Sequence, residues 1–183
     1  AISEVSKPIV LAYVTSGSDI MPDPELVTHI NYAFGYVADS FDSVVIQNPE
    51  RLKRLTDLKK EAPGLKVMLS IGGWGSGRFS EMADDSLLRK SFVVDCNRIV
   101  KEYNLDGIDL DWEYTTSSAA GISSSPNDKD NFTSLIKELR ETMGSDKLLT
   151  LASAYSARFY DFPAIEPYID FVNIMTYDMG RPP

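Results

Sequence analysis

Apolar and β-branched residues gather in six short runs along the chain, at residues 9–14, 29–34, 66–71, 107–112, 148–153 and 171–176. Several are apolar over most of their length, the pattern of parallel strands covered on both faces. Between them lie longer stretches of helical period. Residues 49–60 place Leu52, Leu55 and Leu58 on one stripe, with Asn48 as the expected cap. Residues 86–103 align Leu87, Phe92, Cys96, Ile99 and Val100, and residues 131–143 align Phe132, Leu135, Ile136 and Leu139. Alternating strand and helix units predict a parallel α/β sheet. One stretch breaks the pattern. Residues 115–128 are rich in Ser, Ala and Gly and read as an exposed loop on the C-terminal side of a strand, where α/β barrels and open α/β sheets carry their sites.

Composition narrows the picture. The chain has 183 residues, 43% of them hydrophobic, enough for one well-filled core in a single domain. A net charge of −9 offers no basic patch to neutralise phosphates, which argues against nucleic acid and favours a neutral partner. Cys96 is the only cysteine and forms no disulfide within the chain. No apolar run reaches transmembrane length, and the first residues lack the layout of a signal peptide. The chain begins with Ala1 and not methionine, so removal of a leader stays open, and a secreted or periplasmic location is the expectation.

The candidate chemistry sits at residues 107–113. On a strand, Asp109, Asp111 and Glu113 project to one side, while Ile108, Leu110 and Trp112 project to the other. Three carboxylates on one face of a buried strand repel one another, and burial disfavours each charge further. At least one is therefore expected to stay protonated near neutral pH, as a general acid requires. The competing reading is an exposed edge strand with a solvated acidic face. The apolar opposite face and the amphipathic segment before it argue against that. Glu113, nearest the strand's C-terminal end, is the natural proton donor, and Asp111 can hydrogen-bond to it or to substrate. Asp109 lies about 6–7 Å deeper than Asp111, at roughly 3.3 Å per residue, and reads as a charge partner. His29, the only histidine, rules out histidine triads and multi-histidine metal sites.

At this point the sequence resembles the family 18 glycoside hydrolases, the chitinases and their relatives. Residues 106–114, Asp-Gly-Ile-Asp-Leu-Asp-Trp-Glu-Tyr, match that family's Asp-x-x-Asp-x-Asp-x-Glu signature at all four acidic positions. Ser70-Ile71-Gly72-Gly73-Trp74 matches its second signature, and Ile30-Asn31-Tyr32-Ala33-Phe34 and Asn173-Ile174-Met175-Thr176-Tyr177-Asp178 match its second and sixth strands. The resemblance implies a (β/α)8 TIM barrel and retaining hydrolysis of β-1,4 bonds to N-acetylglucosamine, with the substrate's own acetamide oxygen as nucleophile. It further implies that Asp111 orients that acetamide, that Tyr177 donates a hydrogen bond to it, and that Tyr13 and Ser70 hold Asp109. Phe34, Gly73, Trp74, Met175 and Asp178 would belong to the sugar-binding cleft. Without the resemblance, Tyr13, Phe34 and Met175 read as core, and Gly72-Gly73 as any tight turn.

The expected partner is an N-acetylglucosamine-containing oligo- or polysaccharide, with no nucleic acid, no membrane and no cofactor. Only six strands are counted and residue 183 follows the sixth closely, whereas a whole barrel takes eight strands and roughly 250 residues. The expectation is a barrel with about six of its eight βα units, residues 1–183 forming the N-terminal three-quarters of a catalytic domain that is inactive and poorly folded in isolation. Thr115 departs from the proline that many chitinases of the family carry after the Glu-Tyr pair. Three rivals remain open: an endo-β-N-acetylglucosaminidase acting on N-glycan chitobiose cores, a chitin-binding lectin-like relative, and an unrelated barrel whose acidic strand holds a hard cation.

Overall fold

Each apolar run becomes a strand, and all six lie parallel in one sheet. The computed structural model describes residues 8–153 and 157–174. Its strands are β1 (Leu11–Thr15), β2 (His29–Val37), β3 (Val44–Ile46), β4 (Lys66–Gly72), β5 (Gly107–Asp111), β6 (Leu148–Ser153) and β7 (Phe171–Ile174). The helices are α1 (Pro49–Asp57), α2 (Phe79–Asp84), α3 (Ser86–Glu102), α4 (Asp128–Met143) and the single turn α5 (Phe162–Ile165). Sheet order is β1-β2-β4-β5-β6-β7, an open segment of a (β/α)8 barrel with β5 near its middle. The seventh strand, β3, is an addition to the six expected: three residues that pair antiparallel with the end of β2. A strand that short leaves no readable alternation in sequence.

The helices cover one face of the sheet. α3 buries Phe92, Val93, Cys96, Ile99 and Val100, and α4 buries Phe132, Leu135, Ile136, Leu139 and Met143 against the outward residues Ile108, Leu110 and Trp112 of the β5 segment and the strands beside it. Trp112 stacks on Phe79 (centroids 5.3 Å apart) and meets Phe132 edge-on at 6.0 Å, pairs worth about 1 kcal/mol each beyond their buried area. The caps differ from expectation. Asn48 adopts a left-handed backbone (φ 46°) and makes no side-chain cap; its amide donates instead to the Ser16 carbonyl at 3.3 Å. Asp85 caps α3 by accepting from the Leu87 and Leu88 amides. α4 begins at Asp128, three residues before the periodic apolar stripe announces it.

Three connections repeat one device at the N-terminal end of the sheet. The residue before a strand uses its side chain to accept an amide in, or just before, a neighbouring strand: Thr28 from Val10 (2.8 Å), Asp106 from Val67 (2.8 Å) and Asp170 from Leu149 (2.8 Å). Asp106, the first acidic position of the signature, is therefore a register clamp, further paired with Lys59 at 3.1 Å. No helix separates β1 from β2. The loop of residues 16–28 is held by the buried Arg51, whose guanidinium donates to the carbonyls of Thr15 (3.0 Å) and Ile20 (2.7 Å).

Candidate active site

Pleat and register bring the polar residues together. Parallel pairing sets Ser70, Asp109 and Thr150 side by side on β4, β5 and β6, all on the inner face. The strands approach so closely that a Cβ at Gly107 would lie 1.9 Å from the Leu148 carbonyl oxygen, and one at Gly72 2.2 Å from that of Asp111. Only glycine fits there.

Asp109 is fully buried and takes four donors. Ser70 and Tyr13 donate to Oδ2 at 2.8 and 3.1 Å; Thr150 and Asn173 donate to Oδ1 at 2.7 and 3.5 Å. Burial pushes its pKa up, and these four hydrogen bonds work against that by favouring the anion. Burial, and then the charge of Asp109, also lift the Tyr13 phenol well above its ordinary value, so it stays a donor. Thr150 and Asn173 escaped the sequence reading as site residues. The signal for Thr150 is a polar residue set between the apolar Leu149 and Leu151 in the middle of β6.

One layer nearer the rim, Asp111 is 3% exposed. Burial first, then the charges of Asp109 and Glu113, push its pKa up to about 8. At neutral pH it is a carboxylic acid and shares a hydrogen bond with Glu113. Glu113 lies two residues past the end of β5 and is buried; burial raises its pKa, while the hydrogen bond from Asp111 lowers it. The hydrogen bond between the two carboxyl groups favours the proton on Asp111. The other oxygen of Asp111, Oδ1, has no partner among the described residues.

The peptide that carries Glu113 is clamped on both flanks. Tyr160 donates to the Trp112 carbonyl at 2.8 Å, and the buried Thr115 hydroxyl donates to the Phe159 carbonyl. Thr115 is thus an interior anchor and not a free loop position. Asp128, fully buried, gathers the loop of residues 115–127: it accepts from the Ser80 hydroxyl (2.7 Å) and the amides of Thr116 (3.0 Å) and Ser125 (2.9 Å). Tyr114 stacks on Phe159 with centroids 4.6 Å apart. Sequence reading missed Asp128 because it looks like an ordinary helix-start acid.

At the mouth stand the aromatic residues. Trp74 is 64% exposed and meets Tyr114 edge-on at 6.3 Å. Phe34 is half-buried, and Gly73 (φ +100°) lets its ring approach: a Cβ on Gly73 would come within 2.9 Å of it. Met175, Tyr177 and Asp178 lie outside the described residues. Among the described residues no group of three or more His, Cys, Asp or Glu side chains is placed to hold a metal ion, and both oxygens of Asp109 are committed to hydrogen-bond donors.

A parallel barrel segment whose inner face stacks carboxylates toward the C-terminal rim defines the class: an α/β barrel with an acidic site. The family described as glycosyl hydrolases family 18 matches residues 9–182, and the chain belongs to it. It is 38% identical over 174 residues to probable chitinase 2 of Drosophila melanogaster, covering 85% of this chain and 35% of that protein. It is 36% identical over 179 residues to chitinase A1 of Niallia circulans, covering 91% of this chain and 25% of that one. Among solved structures, the chitinase domain of the spore coat protein CotE from Clostridium difficile superposes with a TM-score of 0.89 at 40% identity, over 94% of this chain and 50% of that one. A family 18 N-acetylglucosaminidase from Paenibacillus barengoltzii gives 0.83 at 39% identity, over 93% of this chain and 54% of that one. The chain therefore spans only part of the proteins it matches.

Proposed function

We propose that this chain carries the acid–base apparatus of a retaining glycoside hydrolase that cleaves β-1,4 bonds of N-acetylglucosamine polymers with help from the substrate's acetamide. The observation that carries the reading is the buried stack of Asp109, Asp111 and Glu113 along β5 and its C-terminal end, with both oxygens of Asp109 occupied by donors. Two nearby carboxyls could instead act as acid and nucleophile. Here Asp111 is neutral and hydrogen-bonded in the free site, a poor nucleophile. It is suited to accept from an acetamide N–H once its proton moves to Glu113.

The steps balance as follows. The acetamide oxygen attacks the anomeric carbon as the bond to the leaving oxygen breaks, and Glu113 gives that oxygen its proton. Asp111, now anionic, stabilises the positive oxazolinium ion. A water then attacks the same carbon as the bond from that carbon to the acetamide oxygen breaks, giving one proton to Glu113 and restoring the acetamide. Trp74 and Phe34 supply apolar faces for sugar rings, and Tyr177, by family resemblance, donates to the acetamide. The relatives' names, chitinase and N-acetylglucosaminidase, support a substrate built from N-acetylglucosamine. No described helix is long and apolar enough to cross a membrane. The acidic net charge of −9 also fits a neutral glycan better than a polyanion.

The test compares hydrolysis of chitooligosaccharides with release of glycan from a high-mannose glycoprotein by the longest natural form of the protein. Cleavage of the first with retained anomeric configuration supports the proposal. Cleavage of the second alone would move the substrate to N-glycan cores, and inverted product would remove the acetamide from its role.

A further inference from the structure

Glu113 stands where the sheet stops supporting its chain. Pairing of β5 with β4 ends at Asp111, opposite Gly72, and pairing with β6 ends at Leu110, opposite Leu151. The Gly73 amide extends the first ladder by one bond, donating to the Asp111 carbonyl at 2.9 Å. Backbone carbonyls alternate sides along a strand, so that of Trp112 faces β6. There the donor is no strand amide. The phenol of Tyr160, from the loop between β6 and α5, donates to the Trp112 carbonyl at 2.8 Å. We infer that Tyr160 is a positioning residue for the proton donor, its hydroxyl standing in for a ladder amide and fixing the peptide that aims Glu113 at Asp111. The inference rests on the proposed glycosidase reading.

Two sets of contacts carry it. First, the phenol is itself held. Tyr160 is 2% exposed, and its ring lies 4.9 Å from that of Phe132 and 5.8 Å from that of Phe162. Phe132 also meets Trp112 at 6.0 Å, so the hydroxyl and the carbonyl it serves share one wall. A side chain locked by packing holds its partner in one geometry. Second, the same loop grips the chain on the far side of Glu113. Phe159 stacks on Tyr114 with centroids 4.6 Å apart, and its carbonyl accepts from the Thr115 hydroxyl. Residues 112, 114 and 115 are thus anchored to 159 and 160, and Glu113 is the residue between them. Without the phenol, the Trp112 carbonyl is a buried acceptor whose peptide can turn toward another donor.

A turn of that peptide would show in the pH profile. Burial and the charges of Asp109 and Glu113 raise the Asp111 pKa, whereas the hydrogen bond from Asp111 lowers that of Glu113. Separating the pair removes part of both effects, so the lower pKa of the pair rises and the upper one falls. The other titratable groups around the pair are Asp109 and the phenols of Tyr13, Tyr114 and Tyr160. Burial pushes Tyr13 and Tyr160 far up, so both remain neutral donors across the working range.

Tyr160→Phe removes the hydroxyl and keeps the packed ring. In the longest natural form of the protein, kcat for chitooligosaccharides is expected to fall about tenfold, with KM within about twofold. The two limbs of the kcat/KM profile against pH should approach each other by about half a unit each. Phe162→Leu loosens the same aromatic cluster without removing the hydrogen bond; it should lower the melting temperature and leave both limbs in place. Narrowing in Tyr160→Phe alone supports the inference. Unmoved limbs in Tyr160→Phe, or equal narrowing in Phe162→Leu, overturn it and leave Tyr160 a packing residue. A wild-type protein that cleaves no chitooligosaccharide overturns the glycosidase reading, and this inference with it.

Discussion

The four donors that hold Asp109 come from two kinds of strand. The inner strands β4 and β6 supply hydroxyls, Ser70 and Thr150, at 2.8 and 2.7 Å. Strands β1 and β7, at the two ends of the described sheet, supply Tyr13 and Asn173 at 3.1 and 3.5 Å. Each carboxylate oxygen thus takes one short bond from the interior and one longer bond from an edge. The strands differ in the same sense. β5 is buried at every residue, whereas Tyr13 on β1 and Ile174 on β7 are exposed. Among the described residues β5 pairs on both sides, whereas β1 and β7 each pair on one side only. The interior donors, Thr150 and Ser70, favour the Asp109 anion most, and Tyr13 and Asn173 add smaller contributions.

The largest expected effect falls on the innermost chemistry. Glu113→Gln keeps the shape and the hydrogen bond to Asp111 but has no proton to give. Turnover of chitooligosaccharides should fall by about a thousandfold or more while sugar binding persists, as kinetics and calorimetry on the same preparation would show. Unchanged turnover would take Glu113 out of the acid role.

Asp111→Asn comes next and has a signature in pH. The folded protein holds the Asp111 proton up to a pH of about 8, whereas an unfolded chain releases it in the ordinary carboxylate range. The raised group contributes stability that is complete below that ordinary range and is lost as pH rises to about 8. Thermal stability should therefore fall between about pH 4 and pH 8, by an amount on the order of 3 kcal/mol with the proton shared with Glu113. Asp111→Asn should flatten that slope and cut turnover by about a hundredfold or more. A slope that survives the substitution would place the proton elsewhere.

The same inner–edge contrast explains what could be read from sequence. The six parallel strands and the α1, α3 and α4 helices are legible because buried elements write their environment as unbroken apolar runs or stripes. Asp109, Asp111 and Glu113 are legible because three acids on one face of such a strand are too costly to be incidental. What stayed hidden depends on pairing between distant segments. Thr150 is meaningful only once the register sets it opposite Asp109, and Asn173 only once β7 returns beside β6. Asp128 looks like a helix-start acid until the fold buries it under Ser80. Arg51 resembles a solvent-facing helix residue, yet it turns inward to hold the carbonyls of a loop with no helix of its own.

A middle-sized effect tests the interior's reach beyond the strand. Asp128→Ala leaves one hydroxyl and two amides without their acceptor, a loss of about 2–4 kcal/mol in stability. If Asp128 holds the Glu113 loop in place, turnover should also drop by about tenfold with KM little changed. Asp128→Asn, which keeps an acceptor oxygen, should recover part of both. Loss of stability with turnover intact would confine Asp128 to folding.

The smallest effect bears most directly on the comparison. Thr150→Val and Tyr13→Phe each remove one hydroxyl from Asp109, the first from an inner strand at 2.7 Å and the second from an end strand at 3.1 Å. After Tyr13→Phe, Oδ2 keeps its 2.8 Å bond from Ser70. After Thr150→Val, Oδ1 keeps only the 3.5 Å contact from Asn173 among the described residues. Losing a donor disfavours the Asp109 anion, so its pKa rises; a more protonated Asp109 repels the Asp111 charge less, so the Asp111 pKa falls below about 8. The pH at which turnover changes with this proton should therefore move downward in both variants, further for Thr150→Val. Stability should drop by about 1–2 kcal/mol for Thr150→Val and by less than about 1 kcal/mol for Tyr13→Phe, whose hydroxyl sits at a partly open edge. Equal shifts in pH profile and melting temperature would show that the end strand holds Asp109 as firmly as the interior does, and the division of labour drawn from these distances would fail.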